Sequence, residues 1–241
     1  SAIEDNVLPQ LRKATIIIRS YQPKRTDEEI ATLSTTTPEE LDVKELLFSA
    51  TLTSDEITQT TIYNKAVELH NDWRGYNNIA CMYLAKGNFS EAMTYLEKAE
   101  ELGGVTSDVL TNKGIIAARK GQLSKAQKLF DQANTTENNQ AVLDIRQGEY
   151  TKAARFYKNA KSFNATLAQL LNGKNSSNCN ENTVDCNYLN AIAAARSGNN
   201  DAAISNLTKA INSDASYKNE AVKDLEFVKL RTNEAFISLT K

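Results

Sequence analysis

Trp73-Arg74-Gly75-Tyr76-Asn77-Asn78-Ile79-Ala80-Cys81-Met82-Tyr83-Leu84-Ala85-Lys86-Gly87-Asn88-Phe89-Ser90-Glu91-Ala92-Met93-Thr94-Tyr95-Leu96-Glu97-Lys98-Ala99 is the stretch on which the reading of this chain turns. Tyr76, Ile79, Ala80 and Tyr83 recur at helical spacing, and so do Ala92, Leu96 and Ala99. Between the two runs stands Gly87-Asn88, and glycine just past a helix end takes the left-handed conformation without a Cβ clash. The markers return together. Gly87, Ala92 and Ala99 reappear as Gly121, Ala126 and Ala133, then as Gly148, Ala153 and Ala160, then as Gly198, Ala203 and Ala210. Leu96, Phe130, Tyr157 and Leu207 keep the same register. The first interval is about 34 residues, the length of a unit of two helices, and the later intervals are shorter and longer than that.

The rest of the composition agrees with helices and excludes several activities. All three prolines lie at or before Pro38, so Glu39 to Lys241 contains none; proline costs about 3 kcal/mol inside a helix, and such a stretch predicts continuous helices with short turns. The 241 residues carry 28 Lys+Arg against 30 Asp+Glu, a net charge of −2, which argues against nucleic acid as a partner. No apolar run approaches the roughly 20 residues of a membrane-spanning helix. Ser1-Ala2-Ile3-Glu4-Asp5 lacks the basic start and apolar stretch of a signal peptide, so the chain is either cytosolic or a piece of an exported protein. A single histidine, His70, rules out a histidine pair for a metal and leaves one residue for any Ser-His or Cys-His machinery. It is expected to end a helix over 57–69, where a cation suits the dipole. Gly103-Gly104 is followed by no phosphate-binding pattern, and Glu181 with Asp185 lacks a calcium-ligand pattern. No catalytic residue, metal or cofactor is expected. Cys81, beside Met82, reads as a buried small hydrophobe. Cys179 and Cys186 either close a short loop by a disulfide, in an oxidising compartment, or remain two free thiols.

The residues of 73–104 resemble the tetratricopeptide repeat family closely. The resemblance implies an all-α fold, a right-handed α-α superhelix, with copies near 41–72, 73–106, 107–134, 135–161 and 184–215. An irregular insertion falls at 162–183, including a helix over Phe163 to Leu171 and a loop over Asn172 to Asn187. A single end-cap helix is expected within 216–233, reading from Ser216 to Leu230 with Ala221, Leu225 and Val228 on its packed face; solenoids need such a cap to cover their last apolar side. No copy has the family's usual proline after its second helix. In the family the first helices line a concave groove that binds peptides or proteins. Arg119, Arg146 and Arg196 stand at equivalent groove positions, and Arg74, Asn77, Asp108, Thr111, Asp185 and Tyr188 match others. The arginines either offer forks to an acidic partner or pair with local carboxylates. The family's clamp for chaperone C-terminal carboxylates is not present.

The first residues differ from the rest. Thr15-Ile16-Ile17-Ile18 is a β-branched run that predicts a strand over 13–21. Alone in a helical chain it implies a neighbouring domain of which 1–24 is the remnant, or pairing with a strand of another chain. Thr26-Asp27-Glu28-Glu29 and Thr37-Pro38-Glu39-Glu40 both read as capping boxes that open helices. Leu8 to Lys13, the strand, Arg25 to Ile30 and Glu45 to Leu52 resemble outer-membrane-associated proteins of Gram-negative anaerobes in which a domain like the C-terminal domain of outer-membrane protein A precedes tetratricopeptide repeats. That resemblance implies a protein-binding scaffold in the cell envelope, periplasmic or outer-membrane-associated. The alternatives are a structural spacer in the envelope or a cytosolic assembly adaptor.

Overall fold

A computed structural model describes residues 25–241, and every regular element among them is helical. The strand expected over 13–21, its pairing with another chain and the upstream-domain remnant 1–24 lie outside the described residues. The chain forms two compact units, divided between Gly75 and Tyr76.

In the first unit, α1 (Asp27–Thr36), α2 (Val43–Ser49) and α3 (Glu56–His70) pack on one another. The first capping box forms: the Thr26 hydroxyl accepts from the Glu29 amide at 3.2 Å, and the Glu29 carboxylate accepts from the Thr26 amide at 2.7 Å. The second does not. Thr37 makes no side-chain cap, and Pro38–Glu40 is a single 3-10 turn. The chain leaves that turn extended in order to bury Leu41, and the helix restarts one turn later. There Asp42 accepts from the amides of Lys44 and Glu45 at 2.7 and 2.9 Å, while Glu45 accepts from the Asp42 amide at 3.1 Å. Leu46, Ala50, Ile62, Tyr63 and Ala66 form the buried face. α3 ends at Asn71, which takes the left-handed conformation.

α4 (Trp73–Ala85) and α5 (Phe89–Gly103) are followed by α6 (Ser107–Arg119), α7 (Leu123–Ala133), α8 (Glu137–Gln147), α9 (Tyr150–Phe156), α10 (Phe163–Leu171), α11 (Val184–Arg196) and α12 (Asn200–Ser213). From α5 onward each helix packs on the next in sequence, the signature of a repeat array. The repeat glycines Gly87, Gly121, Gly148 and Gly198 all have φ between 76° and 82° or, for Gly121, 75°; a Cβ is disfavoured in that conformation, which is why glycine recurs there. Second helices stop differently: α7 ends on left-handed Asn134 and α5 on Gly104. Asparagine tolerates that conformation better than other residues with a Cβ, and it ends the helix there.

The alanine register is the packing register. Ala92, Ala126, Ala153 and Ala203 are fully buried, as are Leu96, Phe130, Tyr157 and Leu207 beside them or nearly so. Ala99, Ala133 and Ala210 follow, but Ala160 is exposed. It lies beyond α9, which stops after seven residues. Ser162 starts α10 immediately afterwards, its hydroxyl accepting from the Ala165 amide, so the inserted helix cuts the second helix short. α11 begins earlier than expected, and Cys186 lies in its first turn, buried, rather than in the loop.

The end cap is three pieces, not one helix: α13 (Tyr217–Lys223), a 3-10 turn over Leu225–Leu230 and α14 (Glu234–Thr240). Extended Asp224 breaks it, its carboxylate accepting from the Glu226 amide at 2.9 Å. Ala221 is buried as expected, but the break shifts the register after it, so Phe227 and Leu230 are buried while Leu225 is 76% and Val228 50% exposed.

Gly75 and Gly114 are held by packing instead of φ. A Cβ on Gly114 would sit 2.5 Å from the Phe130 ring. Gly114→Ala is expected to destabilise the fold by about 1–3 kcal/mol through overpacking, read as a lower denaturant midpoint; an unchanged midpoint would show that α6 and α7 do not approach so closely.

Candidate functional site

The first helices present three recurring positions, polar except at Ala85 on α4, and the structure shows what the named residues contact. At the innermost position, Asn77 on α4 is buried and accepts from the Asn112 amide of α6 at 2.9 Å. The same Asn112 group donates to the sulfur of Cys81 at 3.3 Å. The equivalent Thr111 donates to the Thr135 hydroxyl at 3.2 Å, across to the start of the next copy. Its counterpart Tyr188 is buried and donates to Asp224 at 2.8 Å. Asn77 and Thr111 link one copy to the next, and Tyr188 links the last copy to the cap. Tyr188 is therefore not a groove residue: it is core, with its ring against Tyr217 and Phe227 at 4.9 and 5.6 Å. The shifted register of the cap carries Phe227 over it.

The arginine positions share a second device. Arg146 donates from Nη1 to the Ala118 carbonyl at 2.8 Å, in the last turn of α6. Arg196 reaches the Leu171 carbonyl at the end of α10 at 3.5 Å and pairs with Glu226 at 2.8 Å. Each cation thus meets the C-terminal carbonyls of an earlier helix, where a positive charge is favoured. Arg74 is held by its neighbour: Nε and Nη2 donate to the two oxygens of Asp72 at 2.8 and 2.7 Å. That bidentate pair holds the Asp72 carboxyl below the usual range, since the arginine's hydrogen bonds favour its charged form. Asp185 accepts from the Tyr217 hydroxyl at 3.0 Å. Asp108 and Arg119, both exposed on α6, make no hydrogen bond or ion pair among the described residues. Of the charged residues expected in the groove, these two are exposed and unpaired.

Asn112, Asp224 and Glu226 complete these contacts and carry no periodic signal. The only hint is Asp224-x-Glu226 after Lys223, an N-cap pattern inside an expected helix. Cys81, expected in the core, is exposed as a residue. Its sulfur nevertheless lies in crowded surroundings, and burial raises its thiol pKa despite the Asn112 hydrogen bond. His70 closes α3 as expected, with Nε2 buried and without a hydrogen-bond partner among the described residues. No cluster of metal-ligating side chains occurs among them, and no described helix is long and apolar enough to cross a membrane.

The Asn- and Ser-rich loop is pinned to α11. Cys179 and Cys186 are joined by a disulfide with Cα atoms 5.4 Å apart. Asn190 donates to the Cys179 carbonyl at 3.1 Å and accepts from the Ser177 hydroxyl, and Asn187 donates to Asn182 at 3.1 Å.

These helix pairs, with their buried alanines and left-handed glycines, have a counterpart among known families. Residues 74–102 match the family model of the tetratricopeptide repeat. The match covers α4 and most of α5, the pair whose sequence opened the reading. No curated protein matches the chain. Among solved structures, the chain is similar to YrrB, described as a TPR protein with an unusual peptide-binding site. The two share 19% identity over 80% of this chain and 95% of that one, with a TM-score of 0.40.

The last repeat and its cap have a titration signature. Burial and the facing carboxylates push Tyr217 up to about 12 and Tyr188 higher still. Both groups favour their neutral forms when folded, so the stability they contribute is complete below the unfolded tyrosine pKa of about 10 and is lost as pH rises towards 12 and beyond. An ultraviolet titration should show these two ionising last, together with unfolding of the cap. Tyr188→Phe is expected to cost about 1–2 kcal/mol by removing the bond to Asp224 and to leave a milder alkaline transition. If instead all tyrosines ionise near 10 in the folded protein, the cap does not cover α11.

Proposed function

We propose that this chain is a non-catalytic scaffold that binds a protein or peptide partner along its first helices, within the cell envelope. The observation that carries the binding reading is the tetratricopeptide repeat at 74–102, followed directly by a first helix, α6, whose exposed Asp108 and Arg119 have no internal partner. A peptide offers both signs of charge and a row of backbone amides, and an open acid and an open guanidinium two to three turns apart on one helix suit such an extended ligand. The peptide-binding site in the description of YrrB is in keeping with this role. The envelope setting is supported by the Cys179–Cys186 pairing, since disulfides persist in oxidising compartments, and by the resemblance to outer-membrane-associated proteins.

Asp108→Ala and Arg119→Ala are each expected to weaken capture of peptides on a random dodecapeptide array by about 1–2 kcal/mol and to leave the melting temperature unchanged, because neither side chain is paired internally. Arg146→Ala should do the opposite, costing about 0.5–1.5 kcal/mol of stability for its lost bond to Ala118 with no effect on binding. An array that yields no specific peptide favours the second reading, a structural spacer, which has its own support in the internal use of Arg146, Arg196 and Tyr188. Thiol counting on unfolded, unreduced protein from its native cell tests the compartment: one reactive thiol, Cys81, is expected, and three would point to a cytosolic adaptor.

A further inference from the structure

Beside the last repeat lies a cleft of about 330 Å³ that no repeat pattern predicts. Three segments build it: Gly173–Asn175 after the inserted helix, the end of α11 over Ala193–Ser197, and the 3-10 turn of the cap. Its charge is one-sided. Lys174, Arg196 and Lys229 line it against a single carboxylate, Glu226, which Arg196 already holds at 2.8 Å. Neither lysine side chain has a hydrogen bond or ion pair among the described residues. Its apolar part is equally exposed: Leu225 and Val228, which the register shift at Asp224 turned outward, line the same cleft. Exposed aliphatic side chains beside unpaired cations offer apolar area and positive charge in one place.

We propose that this cleft is a docking site for a peptide that places an acidic residue next to an aliphatic one. The carboxylate lies between Lys174 and Lys229, and the aliphatic side chain covers Leu225 and Val228. The cleft volume suits one or two side chains and not a folded domain. Arg196 is a positioning residue here, since its guanidinium is spent on Glu226 and the Leu171 carbonyl and fixes the cap against the end of α10. The charge match sets the choice: a basic peptide meets two unpaired lysines, and a purely acidic one leaves Leu225 and Val228 exposed. The inference deepens the scaffold reading and rests on it, but it uses a different surface from Asp108 and Arg119.

The test is fluorescence anisotropy on the full chain with three labelled synthetic peptides of equal length. One alternates Asp and Leu, one alternates Asp and Ser, and one alternates Lys and Leu. The Asp-Leu peptide is expected to bind at least roughly tenfold more tightly than either other, with affinity falling as salt rises. The Lys174→Glu/Lys229→Glu double variant and, separately, Leu225→Ser/Val228→Ser should each weaken it about tenfold; all four side chains are exposed, so melting should not change. Equal binding of the Asp-Leu peptide by both double variants overturns the cleft. So does absence of binding, or preference for the Lys-Leu peptide. Peptides selected on the array that lose affinity in Asp108→Ala but not in these variants would leave the scaffold reading standing while removing the cleft from it.

Discussion

The close approach of paired helices at a fully buried alanine is the constraint on which the array depends. Ala92, Ala126, Ala153 and Ala203 occupy the same place in successive second helices, each with no exposed surface. A methyl group is all the contact admits, and at Gly114 even that is too much because Phe130 fills the space. Helices this close must turn back on themselves over two or three residues. Left-handed glycines between first and second helices supply that geometry. The larger residues one turn further, Leu96, Phe130, Tyr157 and Leu207, then fill the volume beside the alanine contact.

Stacking copies leaves helix ends facing one another, and two of the register arginines are used there. Arg146 and Arg196 look like a ladder for a ligand when read by register, yet both reach back to carbonyls at the end of an earlier helix. A partly exposed guanidinium gains more from fixed carbonyl dipoles within its reach than from a ligand it must wait for. The inner positions Asn77, Thr111 and Tyr188 follow the same logic, each bonded to the neighbouring copy or the cap. What the neighbours do not reach stays exposed: Asp108 and Arg119 on α6, and the lysines around the terminal cleft.

The cap shows how a single side chain redirects a surface. Asp224 accepts from Tyr188 and from the Glu226 amide, and that double use halts α13 and begins a 3-10 turn. Phe227 and Leu230 go inward as a result, closing the last repeat, while Leu225 and Val228 go outward. Burial and the facing carboxylates of Asp224 and Asp185 hold Tyr188 and Tyr217 neutral well into the alkaline range.

The sequence by itself determined the helix pairs from α4 to α12, the inserted helix over Phe163–Leu171 and the alanine–glycine register, because each is written in local spacing: a glycine that only a positive φ explains, and small residues that only a close helix contact explains. It also placed Asp108 and Arg119 on an exposed face. It did not reveal the break at Asp224, the restart at Asp42, the early end of α9 or the burial of Tyr188. Each of those follows from a contact between residues far apart in the chain or from competition between two helix starts. Leu41 overrides a good capping box by being buried, and Ser162 overrides a good alanine register by starting another helix. Local pattern fixes where a helix can form; only the packed neighbours decide which of its faces is used up and which is left for a partner.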